Sequence, residues 1–305
     1  MQIGLIGGAM PGSAASLDAA IARVVDAEAR GFASFWLPQI FGLDAITLLA
    51  LAGRETQRIR LGTAVVPVQP RHPVALAQQA LSAQVACGGR FELGIGLSHR
   101  IVIEDMLGLS YARPARRMRE YLEVLTPLLR GEPASFEGEL YRVKATLQVP
   151  EAEPVPCLVA ALGEAMLRVT GRLGDGTLTW MTGPKTLASH IAPTLARAAA
   201  AAGRKPPRIV AGLPVALSTD VATSRERIGT SLAFYDTLPS YRAMLDLERA
   251  AGPGDVALIG DERALRAELA RLRDAGVTEL AAAVGGGEEG RRTQEFLAAE
   301  VRAAG

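Results

Sequence analysis

Three histidines, His72, His99 and His190, are the side chains of this sequence that exchange protons near neutral pH without outside help. Their separations match no metal-ligand spacing, so no metal site is expected, and each must be weighed alone. His99 closes the stretch Gly94-Ile95-Gly96-Leu97-Ser98-His99, where an imidazole released at the end of an apolar run can donate a proton or orient a carbonyl or imine. A loop or helix-capping role is the alternative. His72 stands before Pro73 and reads as the entry to a helix, and His190 as a surface or packing residue within one. Gln39, after Pro38, offers an amide that hydrogen bonds a ring carbonyl or substrate but exchanges no proton; a plain turn residue is the competing reading. Trp180 and Met181 end another apolar run, as pocket wall or as core.

Such residues need a scaffold, and the chain supplies a regular one. β-type runs recur at Gln2 to Ile6, Ser34 to Leu37, Ile59 to Val65, Phe91 to Gly96, Cys157 to Ala160, Thr177 to Trp180, Ile209 to Leu217 and Glu279 to Val284. Amphipathic stretches alternate with them, at about Ser16 to Ala29, Val74 to Val85, Arg113 to Leu129, Ala165 to Leu173 and Asp261 to Ala275. Alternation implies a parallel sheet wrapped by helices, and eight runs favour a closed α/β (β/α)8 TIM barrel over an open sheet. Catalytic groups in such barrels sit at the C-terminal strand ends, where His99, Gln39, Trp180 and Met181 fall. Residues 1–305 show no linker and read as one domain, with insertions at about 97–156 and 219–259 expected over the C-terminal mouth. The second insertion carries Tyr235 and Tyr241 as potential lid residues.

Composition narrows the partners. Thirty-three basic and thirty-two acidic side chains leave a formal net charge of +1, so no global field favours nucleic acid or an anionic membrane. The 49% of hydrophobic residues suffices for a large core, with no run long enough to span a bilayer and no signal-like start. Cys87 and Cys157 form no CxxC motif and are expected to be buried packing residues in a reducing, cytoplasmic setting.

Several segments together resemble the F420-dependent branch of the luciferase-like monooxygenase superfamily. These are Ala27-Glu28-Ala29-Arg30-Gly31-Phe32, Arg58-Ile59-Arg60-Leu61-Gly62-Thr63-Ala64-Val65, Arg71-His72-Pro73 and Gly89-Arg90-Phe91-Glu92-Leu93-Gly94-Ile95-Gly96, followed by Glu137-Gly138 before Tyr141 and by Gly174-Asp175-Gly176. Their order runs over nearly the whole chain. The resemblance implies a TIM barrel, a non-prolyl cis peptide at Ala64–Val65 against the cofactor ring, and a strand-four loop, Leu97-Ser98-His99, lining that ring. It places the cofactor's phosphodiester tail at the turn and helix start of Leu162, Gly163, Ala165 and Met166, where backbone N–H groups bind anions; Gly163 is equally a turn glycine. Gly285-Gly286-Gly287 reads as a connector or an anion loop.

The implied activity is hydride transfer between F420 and a small organic substrate bearing C=C, C=N or a carbonyl group, by a homodimer. Pro38-Gln39 departs from the acidic residue and histidine that better-known F420 dehydrogenases carry after strand two, which puts a strand-two acid or base in doubt. Lys144, Lys185 and Lys205 are the only lysines and match no strand end, which disfavours a sugar phosphate. An FMN-dependent monooxygenase and a non-catalytic cofactor-binding barrel are the competing readings.

Overall fold

In the computed structural model, which describes residues 1–8 and 16–304, the strands appear in chain order as β1 (Gln2–Ile6), β2 (Ser34–Leu37), β3 (Arg60–Thr63), β4 (Val66–Pro67), β5 (Phe91–Gly96), β6 (Ala134–Glu137), β7 (Arg142–Ala145), β8 (Cys157–Val159), β9 (Gly176–Trp180), β10 (Arg208–Leu217), β11 (Leu258–Gly260) and β12 (Glu279–Val284). Eight of them, β1-β2-β3-β5-β8-β9-β10-β12, pair in parallel and close when β12 meets β1, with Gln2 opposite Glu279. The expected TIM barrel is therefore present, and four of the eight expected runs match their strands end to end.

Helices follow the strands: α1 (Leu17–Ala29), α2 (Ala45–Arg54), α3 (Pro73–Ala86), α4 (Pro114–Leu129), α5 (Glu164–Leu173), α6 (Pro184–Thr186), α7 (Ala192–Ala201), α8 (Val221–Ser231), α9 (Ala233–Asp236), α10 (Pro239–Glu248), α11 (Glu262–Asp274) and α12 (Gly287–Ala304). Local chemistry sets their ends. Ser16 Oγ accepts the Ala19 N–H to start α1, and Gly31, at φ +88°, turns the chain out of it. Glu28, near the end of α1, accepts the backbone N–H groups of Gln57, Arg58 and Ile59 and so ties the helix to the entry of β3. Partial burial opposes its ionisation, but those hydrogen bonds hold its carboxyl below the usual range. Gly287, instead of a free connector, begins α12.

The barrel interior is filled by Ile6, Trp36, Leu158, Leu178, Val210, Ala281 and Ala283. Its N-terminal end is closed by charge. Glu279, 1% exposed, accepts hydrogen bonds from the Ser34 hydroxyl and the Trp36 indole and pairs with Arg60 and Arg208, both of which also reach Glu92. Burial raises the Glu279 pKa, yet Arg60 and the donors from Ser34 and Trp36 outweigh it and hold the carboxyl below its ordinary range. Gly62 leaves room for Trp36, since a Cβ there would lie 2.2 Å from the indole ring.

Three expectations need correction. The run Ile59 to Val65 is not one strand: β3 stops at Thr63, whose hydroxyl donates to the Gly94 carbonyl and accepts the Gly94 N–H, replacing ladder bonds until pairing resumes at Val66 opposite Ile95. Not all of 97–156 overhangs the mouth. Its β6–β7 hairpin packs on α4, where the buried Glu120 carboxylate accepts the N–H groups of Leu140 and Tyr141. The excursion 219–259 holds α8, α9 and α10 and a 3-10 turn at Pro253–Val256, but its end adds strand β11 beside β10, too short a run for alternation to reveal.

Candidate active site

The bend between β3 and β4 sets one wall. The Ala64–Val65 peptide bond is cis, as the resemblance implied, and both residues pack with the interior cluster that contains Trp36 and Leu158. Two glycines of β5 accommodate the bend. A Cβ on Gly94 would stand 1.9 Å from the Thr63 carbonyl oxygen, and one on Gly96 2.6 Å from Val65 Cγ2. Gly94-Ile95-Gly96 thus alternates a core isoleucine with two positions where no side chain fits.

Beyond Gly96 the chain turns sharply, with Ser98 at φ +57°. Polar contacts hold this turn: Gln69 Nε2 donates to the Leu97 carbonyl at 2.9 Å, the Tyr111 hydroxyl to the Ser98 carbonyl at 3.3 Å, and the His99 carbonyl accepts the Ile103 N–H. The His99 ring then meets the edges of Phe234, Tyr235 and Tyr241, with centroids 6.2, 6.2 and 5.9 Å away. Removal from water disfavours the imidazolium, so the His99 pKa lies below its ordinary value and the ring is neutral at physiological pH. A neutral imidazole carries one donor and one acceptor, which suits proton handling.

Trp180 connects this loop to the barrel. It bridges the interior cluster and the late helices, and its ring lies 6.2 Å from Tyr235. Its indole Nε1 is buried near the Tyr235 hydroxyl without reaching hydrogen-bond geometry. Met181, expected as pocket lining, is instead fully buried in the packing of the late helices, with Ile228, Leu232 and Leu245.

Two helix starts near the strand ends differ in how they are finished. At α5 the N-cap is Gly163, with no side-chain cap and no atom within 4 Å of where its Cβ would be. Its first N–H groups, at Glu164, Ala165 and Met166, form an anion-binding helix start of the expected kind, although Glu164 adds a negative side chain that Arg168 pairs. His190 positions this turn, since its Nε2 lies 2.8 Å from the Leu162 carbonyl oxygen across the π turn Leu187–Ile191. At α6 the position is taken: the half-helical-turn donors Lys185 N–H and Thr186 N–H go to the buried carboxylate of Glu248.

The remaining expected residues have structural partners. The Gln39 amide oxygen accepts the Ala45 N–H at 2.7 Å and so anchors the start of α2. His72 is the N-cap of α3, its Nδ1 accepting the Val74 N–H. Cys87 and Cys157 are buried, and burial pushes both thiols up, the first to about 11. Sequence reasoning missed Phe234, Gln69 and Glu248 and gave little weight to Tyr235 and Tyr241. The clustering of aromatic residues at 234, 235 and 241 in the late insertion was the signal available for three of them; Glu248 carried none.

Comparison with known proteins adds the following. A family model described as luciferase-like monooxygenase matches residues 5–295. A putative coenzyme F420-dependent oxidoreductase of Mycobacterium tuberculosis is 30% identical over 252 residues, 77% of this chain and 71% of that protein. An F420-dependent glucose-6-phosphate dehydrogenase of Nakamurella multipartita is 33% identical over 196 residues, 62% and 57% of the two chains. In three dimensions the coenzyme F420-dependent tetrahydromethanopterin reductase of Methanopyrus kandleri superposes with a TM-score of 0.78 at 21% identity, over 99% of each chain, which supports the shared barrel.

Proposed function

The chain belongs to the luciferase-like monooxygenase family, and from that premise we propose that it is an F420-dependent oxidoreductase that moves a hydride between the deazaflavin and a C=C, C=N or carbonyl carbon of a small organic substrate. The observation that carries this reading is His99, a neutral imidazole held among aromatic rings at the barrel mouth, three residues beyond Gly96, the β5 glycine that packs against Val65 of the bend.

The residues present fit the cofactor. Ala64 and Val65 offer apolar, partly buried side chains to a planar ring, and the uncapped start of α5 offers N–H groups to an anionic tail. When bound, F420 supplies a two-electron hydride donor or acceptor. The chain's own part is placement and proton traffic. The glycine track of β5 holds the Ala64–Val65 bend in place, so one face of the site is fixed before anything binds. Trp180, Tyr235 and Tyr241 keep water from the reacting carbon. His99 hands a proton to, or takes one from, the substrate heteroatom at an imidazole nitrogen, and its lowered pKa keeps that nitrogen available at neutral pH. Leu97 and Ser98 shape the turn that presents His99, while Gln39 contributes at most a hydrogen bond from its NH2.

Titration of the purified protein with F420 and, in parallel, with FMN, followed by quenching of cofactor fluorescence, tests the reading. Tighter binding of F420 is the expected result. Tighter binding of FMN would transfer the assignment to an oxygen-activating monooxygenase, and binding of neither would leave a barrel without redox function.

A further inference from the structure

We infer that the Trp180 indole N–H is a second polar group of this site: it donates a hydrogen bond to the heteroatom of a bound substrate, from a place that the Tyr235 hydroxyl covers in the free protein. The part this bond plays in turnover rests on the oxidoreductase reading above; the binding of an acceptor atom at Trp180 Nε1 does not.

The first observation is the donor itself. Trp180 Nε1 is buried, yet among the described residues it has no hydrogen-bond partner. Buried donors are rarely left so in a folded protein, because the lost contact with water goes uncompensated. The other tryptophan shows the usual outcome: Trp36 Nε1, in the charged plug at the N-terminal end of the barrel, donates to Glu279 at 2.7 Å and to Ser34 at 2.9 Å. The orientation of the Trp180 ring is set by packing. A Cβ on Gly212 of β10 would lie 3.0 Å from Trp180 Cε3, so the benzene edge of the indole rests on the bare backbone of the neighbouring strand. Nε1 is on the opposite edge of the ring, directed away from β10 and toward the Tyr235 hydroxyl.

The second observation is what stands in front of that donor. The Tyr235 ring lies 6.2 Å from Trp180 and 6.2 Å from His99, so one planar ring carrying one oxygen touches the proton-exchanging residue and the unpartnered donor together. Its hydroxyl stops short of hydrogen-bond geometry with Nε1. A flat carbonyl compound in the same place completes the bond that Tyr235 leaves unmade. The segment that carries Tyr235 is lightly held: α9 has four residues, none of them buried, and Phe234 beside it is 50% exposed. Trp180, by contrast, stands on β9, which pairs with β8 on one side and β10 on the other. Displacement of α9 therefore uncovers a donor that does not itself move. As a hydride is added to the substrate carbon, negative charge gathers on the heteroatom, and a fixed N–H pointed at that atom stabilises the charge as it develops. His99 exchanges the proton; the indole N–H, a donor only, holds the atom in place.

The experiment follows the indole N–H resonances of the two tryptophans in isotope-labelled full-length protein, with and without F420, during titration with 2-cyclohexen-1-one and with cyclohexene, a ring of the same size that lacks the acceptor oxygen. Cyclohexenone is expected to move the Trp180 signal downfield and to leave that of Trp36 in place; cyclohexene is expected to cause no downfield shift. Trp180→Phe, which keeps an aromatic ring and removes the donor, identifies the Trp180 signal and is expected to weaken cyclohexenone binding by about three- to tenfold while cyclohexene is unaffected. Tyr235→Phe, which removes the covering hydroxyl, is expected to tighten cyclohexenone binding by about threefold. A Trp180 signal that stays in place with cyclohexenone, or moves as far with cyclohexene, overturns the inference without recourse to a variant. Equal losses for the two ligands in Trp180→Phe would mean lost packing and overturn it as well, and unaltered affinity in Tyr235→Phe removes Tyr235 from it. Failure of F420 to bind, seen separately by its own fluorescence, refutes the oxidoreductase reading while the cofactor-free titrations still decide whether Trp180 donates.

Discussion

Replacing Glu279 by glutamine tests whether the charged plug at the N-terminal end of the barrel carries stability and leaves the mouth alone. Glutamine keeps an oxygen for the Ser34 hydroxyl and the Trp36 indole, but turns an NH2 toward the guanidinium groups of Arg60 and Arg208 where a carboxylate oxygen had accepted from both. Removing one member of a buried ion pair costs roughly 3–5 kcal/mol. The lower end applies, because the two arginines are 23% and 32% exposed and keep Glu92 as a second partner. With an unfolding entropy of about 2.1 cal/mol/K per residue, a chain of 305 residues has about 0.64 kcal/mol/K, so ~3 kcal/mol lowers Tm by about 5 °C. The sign with pH follows from the depressed Glu279 pKa. Its stabilisation is complete above the ordinary glutamate range and is lost as pH falls through the folded-state value, so the gap in Tm between the two proteins closes on acidification below about pH 4. Differential scanning calorimetry between pH 3 and 8 reads both effects. A Tm within about 1 °C of the unaltered protein at pH 7 would show that the pair is neutral to stability and that the reasoning fails.

Three other predictions concern the mouth and the core. His99→Asn, which removes the proton-exchanging nitrogen but keeps a polar side chain, is expected to lower kcat by about 10²–10⁴-fold with F420 affinity little changed; a loss below about tenfold would remove His99 from the chemistry. Because burial lowers the His99 pKa, the acidic limb of the kcat profile should lie below that of ordinary imidazole, about pH 6.5, and should vanish in the variant. Gly96→Val places side-chain atoms against Val65 and is expected to weaken F420 binding at least about tenfold, with a stability loss of about 1–3 kcal/mol from overpacking; unchanged affinity in a folded variant would contradict the role given to the β5 glycines. Cys87 and Cys157, buried and with raised pKa values, should resist a thiol reagent in the native protein at pH 8 and react on unfolding, and fast labelling of either in the native state would contradict the packing described.

The sequence by itself determined the barrel. Strand type depends on neighbours along the chain, and the apolar runs from Gln2 to Ile6, Phe91 to Gly96 and Glu279 to Val284, each followed by a helical period, leave few other ways to bury their side chains. It also determined which strand end carries His99, because a position on a strand is a local property, and it gave Gly94 and Gly96, whose lack of side chains has meaning only at a close approach. What only the tertiary structure decided were meetings between residues far apart in the chain. That His99 sits against Tyr241, that His190 reaches the Leu162 carbonyl, and that Gln39 spends its oxygen on the start of α2 are results of three-dimensional placement that no periodicity records. Met181 looked like a pocket residue by position and proved to be core, since the late helices close over it. Glu248 is the extreme case: on the sequence it is one acidic residue at the end of an amphipathic helix, and its significance comes from the two N–H groups that a strand end and a glycine 65 positions earlier, Gly183, bring to it. Hydrogen-bond donors at a helix start are directional and few, so which carboxylate satisfies them is settled only when the helices dock.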